Sequence, residues 1–493
     1  MDKVWPESFV RQRSALWIVG VIALLLFAVT NLPWHLDDYD QAKQAFTSFE
    51  MVKQGHWLFQ HTPRERVATK PPLVGWVSAG LFEITRSWDL AWRLPSVAAA
   101  LALSFCLWRA AASAYGPVSG LVALGAFTLN LLTPRLASLV RTDMPLALVL
   151  CLTGLSIFEH VESKKPWETR DRVWLFALLT AGMLIKGPIV YAFLLPGTLM
   201  FQWWRRRADA PSAFFGWWPW LASLAVFLIW ASAGIRFVPG FYDQVVVREF
   251  IGRFGETIHR PQPIYFYLPH LLHKFAPWSI LLIVFAWVIW RHRKSNTASS
   301  APRIAPDTMW LLCWSLGGLL IMSCVPSKRV DRIFPVIPPL CLLLAGQVRY
   351  LWSNESQRLF LQRLITGALV LAVLFSGGYA ALKVASGYRG RRDALVEFGR
   401  GVREEAASRH WRYAAVAGSD EGLILYLDKP GFIEPGKAIT EWNAGTLDAL
   451  VVPAEETEAY LRDLHGPVVT ELKSVKRAEQ ANTYVLLVRG KSE

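Results

Sequence analysis

The chain has 493 residues, 53% of them hydrophobic and only 18% charged, against roughly 25% charged in soluble domains. Its 52 Lys and Arg outweigh 38 Asp and Glu, a formal charge of +14, and it carries 24 Trp and 27 Phe. A disordered chain, a coiled coil and a single soluble globule are excluded. The apolar residues fall in runs of about 17–22, the length that crosses a bilayer core of roughly 30 Å, which makes this a polytopic membrane protein.

The first apolar run, 14–32, lacks a small-residue cleavage site and reads as an uncleaved span. Further spans are predicted at 93–111, 117–137, 143–160, 172–185, 187–204, 217–235, 272–290, 308–325, 333–349 and 361–383, eleven in all. A shorter apolar stretch, 71–85, follows Lys70-Pro71-Pro72 and is bounded by Glu83 and Arg86, too short for a comfortable crossing. With Arg11 and Arg13 inside, the clusters Lys164/Lys165/Arg170/Arg172, Arg205/Arg206/Arg207 and Arg291/Arg293/Lys294 also fall inside, provided 71–85 does not cross. The C-terminal tail is then outside. Its charged composition and short strand-like runs, 413–417, 423–427, 449–452 and 484–488, with helical stretches 391–407 and 454–464, predict a small α/β domain. The expected organisation is a helical membrane bundle over 1–384 and an outer α/β domain over 385–493.

The basic excess is spread over loops, which fits headgroup contact and excludes a nucleic-acid partner. Cys106, Cys151, Cys313, Cys324 and Cys341 all sit in or beside apolar runs, with no metal-ligand spacing, so a disulfide framework is not expected. Basic residues nevertheless remain on the outer side, at Arg64, Arg66, Lys70, Arg141, Lys186, Arg248, Arg253, Arg260, Lys328, Arg329 and Arg332. Any one of them fits a headgroup anchor. Their recurrence in separate outer segments points to a shared anionic ligand. Asp37, Asp38 and Asp40 crowd the start of the first outer loop, where idle carboxylates are costly. Asp40 is suited to capping a following helix over 41–54, and Asp38-x-Asp40 to holding a divalent ion such as Mg²⁺ or Mn²⁺. No convincing metal shell is visible, so no metal is assigned and an external chelator is expected to have little effect. His56, His61 and His259 read as plain polar residues of outer loops. Tyr265, Tyr267 and Trp278 read as an aromatic belt before a sugar platform.

An ordered set of motifs runs along residues 14–350. It comprises Asp40-Gln41-Ala42-Lys43, Glu50-Met51, Gly55-His56-Trp57, Lys70-Pro71-Pro72-Leu73 with Trp76, Arg93-Leu94-Pro95-Ser96 and Arg141-Thr142-Asp143. Lys186-Gly187-Pro188, Arg253-Phe254, His259-Arg260-Pro261, Pro277-Trp278-Ser279 and Ser327-Lys328-Arg329 follow in order. In these the chain resembles the aminoarabinose transferase and protein O-mannosyltransferase superfamily, glycosyltransferases of the GT-C membrane fold. The resemblance implies transfer of a sugar from a polyprenyl-phosphate donor to a glycolipid, glycan or protein acceptor at the outer face, with inversion at the anomeric carbon. It implies a bacterial inner membrane and a periplasmic active site. The essential first-loop aspartate maps onto Asp40 by its distances to Met51 and Gly55; counting from Trp34 selects Asp37, with Asp38 as the third member of the set. The second aspartate maps onto Asp143. Lys70, Arg253, Lys328, Arg329 and Lys186 become donor-phosphate contacts, and Arg260, His259, Arg332 and Tyr265 substrate contacts. Two positions depart from the pattern: Thr69 stands where an acid often precedes the Lys-Pro motif, and Arg332 where a tyrosine often follows Ser-Lys.

The chemistry agrees. Displacing phosphate from an anomeric carbon calls for an acceptor on the attacking group and positive charge on the leaving one. A transporter or flippase is the competing function, and a membrane scaffold a third. A transporter places charge mid-span and breaks its helices near the midplane. The spans here are largely free of charge at their centres. The sequence carries no signal of oligomeric state.

Overall fold

The structure, a computed structural model, describes residues 7–36, 38–208, 210–249, 252, 261–295, 304–355, 358–416, 418, 420–477 and 482–490. Among the described residues helix follows helix up to Ser408, and the four strands all lie beyond Arg412. The chain divides into two compact units. One comprises Met1–Thr30, Thr69–Leu73 and Leu94–Ala380; the other comprises Asn31–Ala68, Val74–Arg93 and Ala381–Glu493.

Among the described residues six helices of the chain are long and apolar enough to cross a membrane: Trp88–Tyr115, Asp143–Ser163, Trp218–Phe237, Pro306–Cys324, Val330–Trp352 and Arg358–Arg389. Two expected spans have a different form. The run 117–137 is broken into Pro117–Thr128 and Thr133–Ala137. The cause is Asn130, whose Oδ1 accepts from the backbone N–H of Leu132 (2.8 Å) and Thr133 (2.9 Å), so a side chain replaces the helical carbonyl. The run 272–290 starts inside the short helix Tyr267–Lys274 and turns by 101° into the next, Trp278–His292, the bend falling at Pro277. Proline has no N–H to continue the ladder. The helices Thr169–Lys186 and Ile189–Ala208 cover 172–185 and 187–204, and 71–85 is the 13-residue helix Leu73–Thr85, about 20 Å long.

The tightest helix contact of the first unit joins Ile189–Ala208 to Pro306–Cys324 through glycine. A Cβ on Gly317 would lie 2.4 Å from the backbone N of Gly197, and one on Gly197 2.7 Å from the carbonyl O of Cys313. Small residues let helix backbones approach where no hydrophobic drive separates protein from lipid.

In the second unit the strands β1 (Tyr413–Ala415), β2 (Ala449–Pro453), β3 (Val468–Lys473) and β4 (Tyr484–Arg489) form one sheet of order β1-β2-β4-β3. The β1–β2 pair is parallel and the other two pairs are antiparallel. The central strands β2 and β4 are buried almost throughout, hence their unbroken apolar runs. Val416, Trp442, Leu450, Tyr460 and Leu487 fill one side, and Phe398, from the helix Ala394–Ser408, stands 6.5 Å from the Tyr484 ring. The expected strand at 423–427 is instead the helix Gly422–Tyr426. Leu423, Ile424, Leu425, Tyr426 and Leu427 are all buried, and a run buried all round has no period to separate strand from helix.

Gly317→Ala is expected to cost about 1–3 kcal/mol through overpacking against backbone that cannot yield. Thermal unfolding of the detergent-solubilised protein checks this, with Gly367→Ala as control, since a Cβ there meets nothing within 4 Å. Equal unfolding temperatures for the two variants would contradict the close packing.

Candidate active site

In the membrane unit the site grows from two carboxylates at helix ends. Asp143 is the first residue of Asp143–Ser163, where the helix dipole favours negative charge, and it is buried. Lys186, the last residue of Thr169–Lys186, places its Nζ 2.5 Å from Asp143 Oδ1. Gly187 lets the chain turn there at φ 77°, a conformation that glycine adopts without strain. The charges of Lys70 and Arg141 also reach Asp143. The second carboxylate is Asp331, in the 3-10 turn Val330–Val336. It is buried, lies 2.9 Å from Arg141 Nη1 and 3.4 Å from Arg135 Nη1, and so ties together three segments. The structure therefore joins Asp143 to Lys186 as a pair, and adds Arg135 and Asp331, which sequence reasoning missed. The signal was there: an acid beside an apolar run is costly unless a cation meets it.

Lys328 is buried and its Nζ donates to the Gln262 carbonyl at 2.9 Å. Arg332 Nη1 donates to the Ser327 carbonyl at 2.6 Å, folding back on the turn that carries Lys328. Arg329 is half-buried and Tyr265 is 62% exposed, as a membrane-facing aromatic would be. Lys70 is half-buried, preceded by Thr69, whose Oγ1 donates to Glu249 Oε1 at 2.9 Å. Glu249 was also missed, and it supplies a carboxylate beside the position where the resembled family often has its own acid. Arg253, His259, Arg260 and Asp37 lie outside the described residues.

The first-loop aspartates belong to the other compact unit. Asp38, not Asp40, caps the helix: its Oδ1 accepts from the Asp40 N–H at 2.9 Å, and the helix runs Tyr39–Gln54. The reason is register, since helical geometry starts two residues earlier than the expected 41–54. Asp40 is thereby released from capping and lies half-buried in the first turn. Nearby, burial and the charges of Arg392, Arg93 and Lys383 push His35 down to about 4, so it is neutral at physiological pH. Arg64, on the same unit, donates to the Gly418 carbonyl at 2.6 Å and lies 3.6 Å from the buried Glu421. His56 and His61 are not scattered: both rings meet Glu50.

The model of the dolichyl-phosphate-mannose-protein mannosyltransferase family matches residues 69–233. The undecaprenyl phosphate-alpha-4-amino-4-deoxy-L-arabinose arabinosyl transferase of Shewanella sediminis is 25% identical over 76% of this chain and 69% of its own length. The enzyme of the same name from Erwinia tasmaniensis is 27% identical over 81% of this chain and 73% of its own length. In fold, the crystal structure of ArnT from Cupriavidus metallidurans bound to undecaprenyl phosphate matches with a TM-score of 0.72 at 18% identity, over 96% of this chain and 99% of that one. The archaeal oligosaccharyltransferase AglB from Archaeoglobus fulgidus matches with a TM-score of 0.52 at 12% identity, over 90% and 70%. The chain is thus similar to the aminoarabinose transferases over most of its length, shares the GT-C fold of ArnT, and has the long apolar helices of an integral membrane protein.

Lys186→Met is expected to destabilise the protein by about 3–5 kcal/mol, because it leaves Asp143 buried without its ammonium. The double variant Asp143→Asn/Lys186→Met should recover most of that loss. A double-mutant cycle on unfolding temperatures reads the coupling; additive losses would mean that the two side chains do not interact.

Proposed function

We propose that this aminoarabinose transferase-like chain moves a sugar from a polyprenyl-phosphate donor of the undecaprenyl class to an envelope acceptor, with a lipid A-like glycolipid first in line. The transfer takes place at the periplasmic face of a bacterial inner membrane, with 1–384 as the membrane domain and 385–493 on the periplasmic side. The observation that carries this reading is the ion pair of the buried Asp143 with the half-buried Lys186, with Lys70 in electrostatic reach. Cations held at the ends of apolar helices suit an anion that arrives on a lipid chain. The names of the sequence relatives support the donor class.

In this reading the acceptor oxygen attacks the anomeric carbon, the bond from that carbon to the phosphate oxygen breaks, and the configuration inverts. Asp40 accepts the hydrogen bond, and then the proton, of the attacking group. Lys70 and Lys328, with Arg329 and Lys186, stabilise the charge that grows on the departing polyprenyl phosphate. Asp143 holds Lys186 in place. Arg253, Arg260 and His259, together with Arg332 and Tyr265, contact donor or acceptor. Asp38 serves as the helix cap that sets the Asp40 backbone, and Asp37 is the alternative acceptor in the same loop. Transfer requires no cofactor in this reading; Mg²⁺ or Mn²⁺ on Asp38-x-Asp40 is the variant in which it does.

Mass spectrometry of total envelope glycolipids tests the proposal, comparing cells that carry the chain with cells that carry Asp40→Asn. A lipid heavier by one sugar, present with the native chain and nearly absent with the variant, is expected. No mass difference in any lipid, with the protein inserted and folded, would move the acceptor to protein or polysaccharide. Undiminished product from Asp40→Asn would remove Asp40 from the chemistry. Glu249→Gln keeps a hydrogen-bond acceptor for Thr69 but discards the charge. A loss of transfer of tenfold or more is expected from it in a membrane assay, and unchanged transfer would show that the carboxylate at this place is dispensable.

A further inference from the structure

The loop that follows the helix Tyr39–Gln54 gathers three metal-ligating side chains that the transfer reaction leaves unused. Glu50 is buried on that helix. Its Oε1 lies 2.8 Å from His56 Nδ1 and 2.9 Å from His61 Nδ1. The ligand atoms of the three residues all fall within 4.8 Å of one another, and the two rings meet at 69° with centroids 5.5 Å apart. We propose that Glu50, His56 and His61 bind one divalent transition-metal ion of the zinc class.

Three features favour an ion over a plain hydrogen-bonded cluster. First, the ligand set is two imidazoles and one carboxylate, a borderline-soft set that suits zinc and leaves a fourth position for water or an anionic oxygen. Second, the carboxylate is already divided in its duties. Glu50 Oε2 accepts the backbone N–H of His61 at 2.5 Å, which fixes the group and leaves Oε1 to face both rings. Third, the loop is built rather than slack. Gln60 Nε2 donates to the His56 carbonyl at 2.9 Å, the Ala68 N–H to the Gln60 carbonyl at 2.7 Å, and the Thr62 N–H to the Arg66 carbonyl at 2.7 Å. His61 also bridges to Val67.

Ligands of a tetrahedral zinc ion lie roughly 3.3 Å apart, so the cluster must open by about half an ångström. The His56 side chain is 49% exposed and the His61 side chain 31%, which gives both rings room to do so. Binding takes the Nδ1 lone pair of each neutral ring, so the proton that faces Oε1 moves to Nε2, and a ring protonated on both nitrogens gives one proton to solvent. The ion would clip the loop to the helix, an effect that does not depend on the proposed sugar transfer. It runs against the sequence expectation that no metal is held, because side chains 6 and 11 residues from Glu50 follow no familiar ligand spacing.

The test uses the full-length protein in detergent, with any affinity tag removed, stripped with a chelator and dialysed. Zinc is titrated by calorimetry and cobalt by its visible ligand-field bands. One ion per chain is expected, with tetrahedral cobalt bands and an unfolding temperature that rises with zinc. His56→Ala and His61→Gln should each weaken binding at least tenfold, and the double variant should lose the zinc-dependent rise. The glutamine keeps a donor for Glu50, so folding is preserved in that variant, and its zinc-free unfolding temperature verifies this. Folded native protein that binds no zinc, or equal binding by the double variant, would overturn the assignment.

Discussion

A carboxylate at the mouth of an apolar helix persists only with a cation against it, and the polar end of the membrane unit is arranged around two such carboxylates. Asp143 takes Lys186, and Asp331 takes Arg141 and Arg135. Burial penalises each charge by several kcal/mol, and the mutual attraction repays this only in good geometry. That requirement fixes where the helices Asp143–Ser163 and Thr169–Lys186 end, and it draws the 3-10 turn Val330–Val336 onto the segment before Asp143. It also sorts the cations. Lys186 is held by one carboxylate, and Arg141 and Arg135 share one between them. Lys328 is bonded to a carbonyl oxygen, which orders the ammonium without cancelling its charge. The ion pairs therefore fix the scaffold on which such a cation stands.

The two departures from the resembled pattern have physical counterparts. Thr69 lacks the charge of an acid but donates to Glu249, so a carboxylate returns to the neighbourhood of Lys70 from a residue far along the chain. Arg332 in place of a tyrosine exchanges an aromatic face for a guanidinium, and that group is engaged with the Ser327 carbonyl. The first exchange keeps the chemistry and changes its source. The second alters both charge and shape at that place.

Much of this was legible in the sequence, for reasons particular to each element. Trp218–Phe237 and Pro306–Cys324 were readable because lipid imposes an apolar run on each. The central strands β2 and β4 were readable as apolar blocks, whereas the edge strand β3, Val-Val-Thr-Glu-Leu-Lys, is mostly open to solvent and carries no such signature. The break at Asn130 was hidden, because an asparagine in an apolar run announces neither a cap nor a crossing. Within the site, Asp143 and Lys186 stood out individually as charges at span ends. Their pairing, and the arrival of Glu249 and Asp331, needed tertiary structure, since residues 43, 180 and 190 positions apart are joined. Glu50, His56 and His61 were each visible, and only the fold of the loop makes them neighbours.

The position of charge along the helices separates transfer from translocation. In each of the six candidate spans every Asp, Glu, Lys and Arg lies within about two turns of an end. Arg93 and Arg109 flank the middle of Trp88–Tyr115, and Arg349 and Asp307 sit in terminal turns of their helices. A carrier that moved a phosphate headgroup across the bilayer would have to compensate its charge at the midplane, where an unpaired ion is most expensive. These helices offer nothing charged there. Their charged residues are confined to the terminal turns. The arrangement suits an enzyme that works on a lipid-linked group from one face and leaves the lipid where it lies.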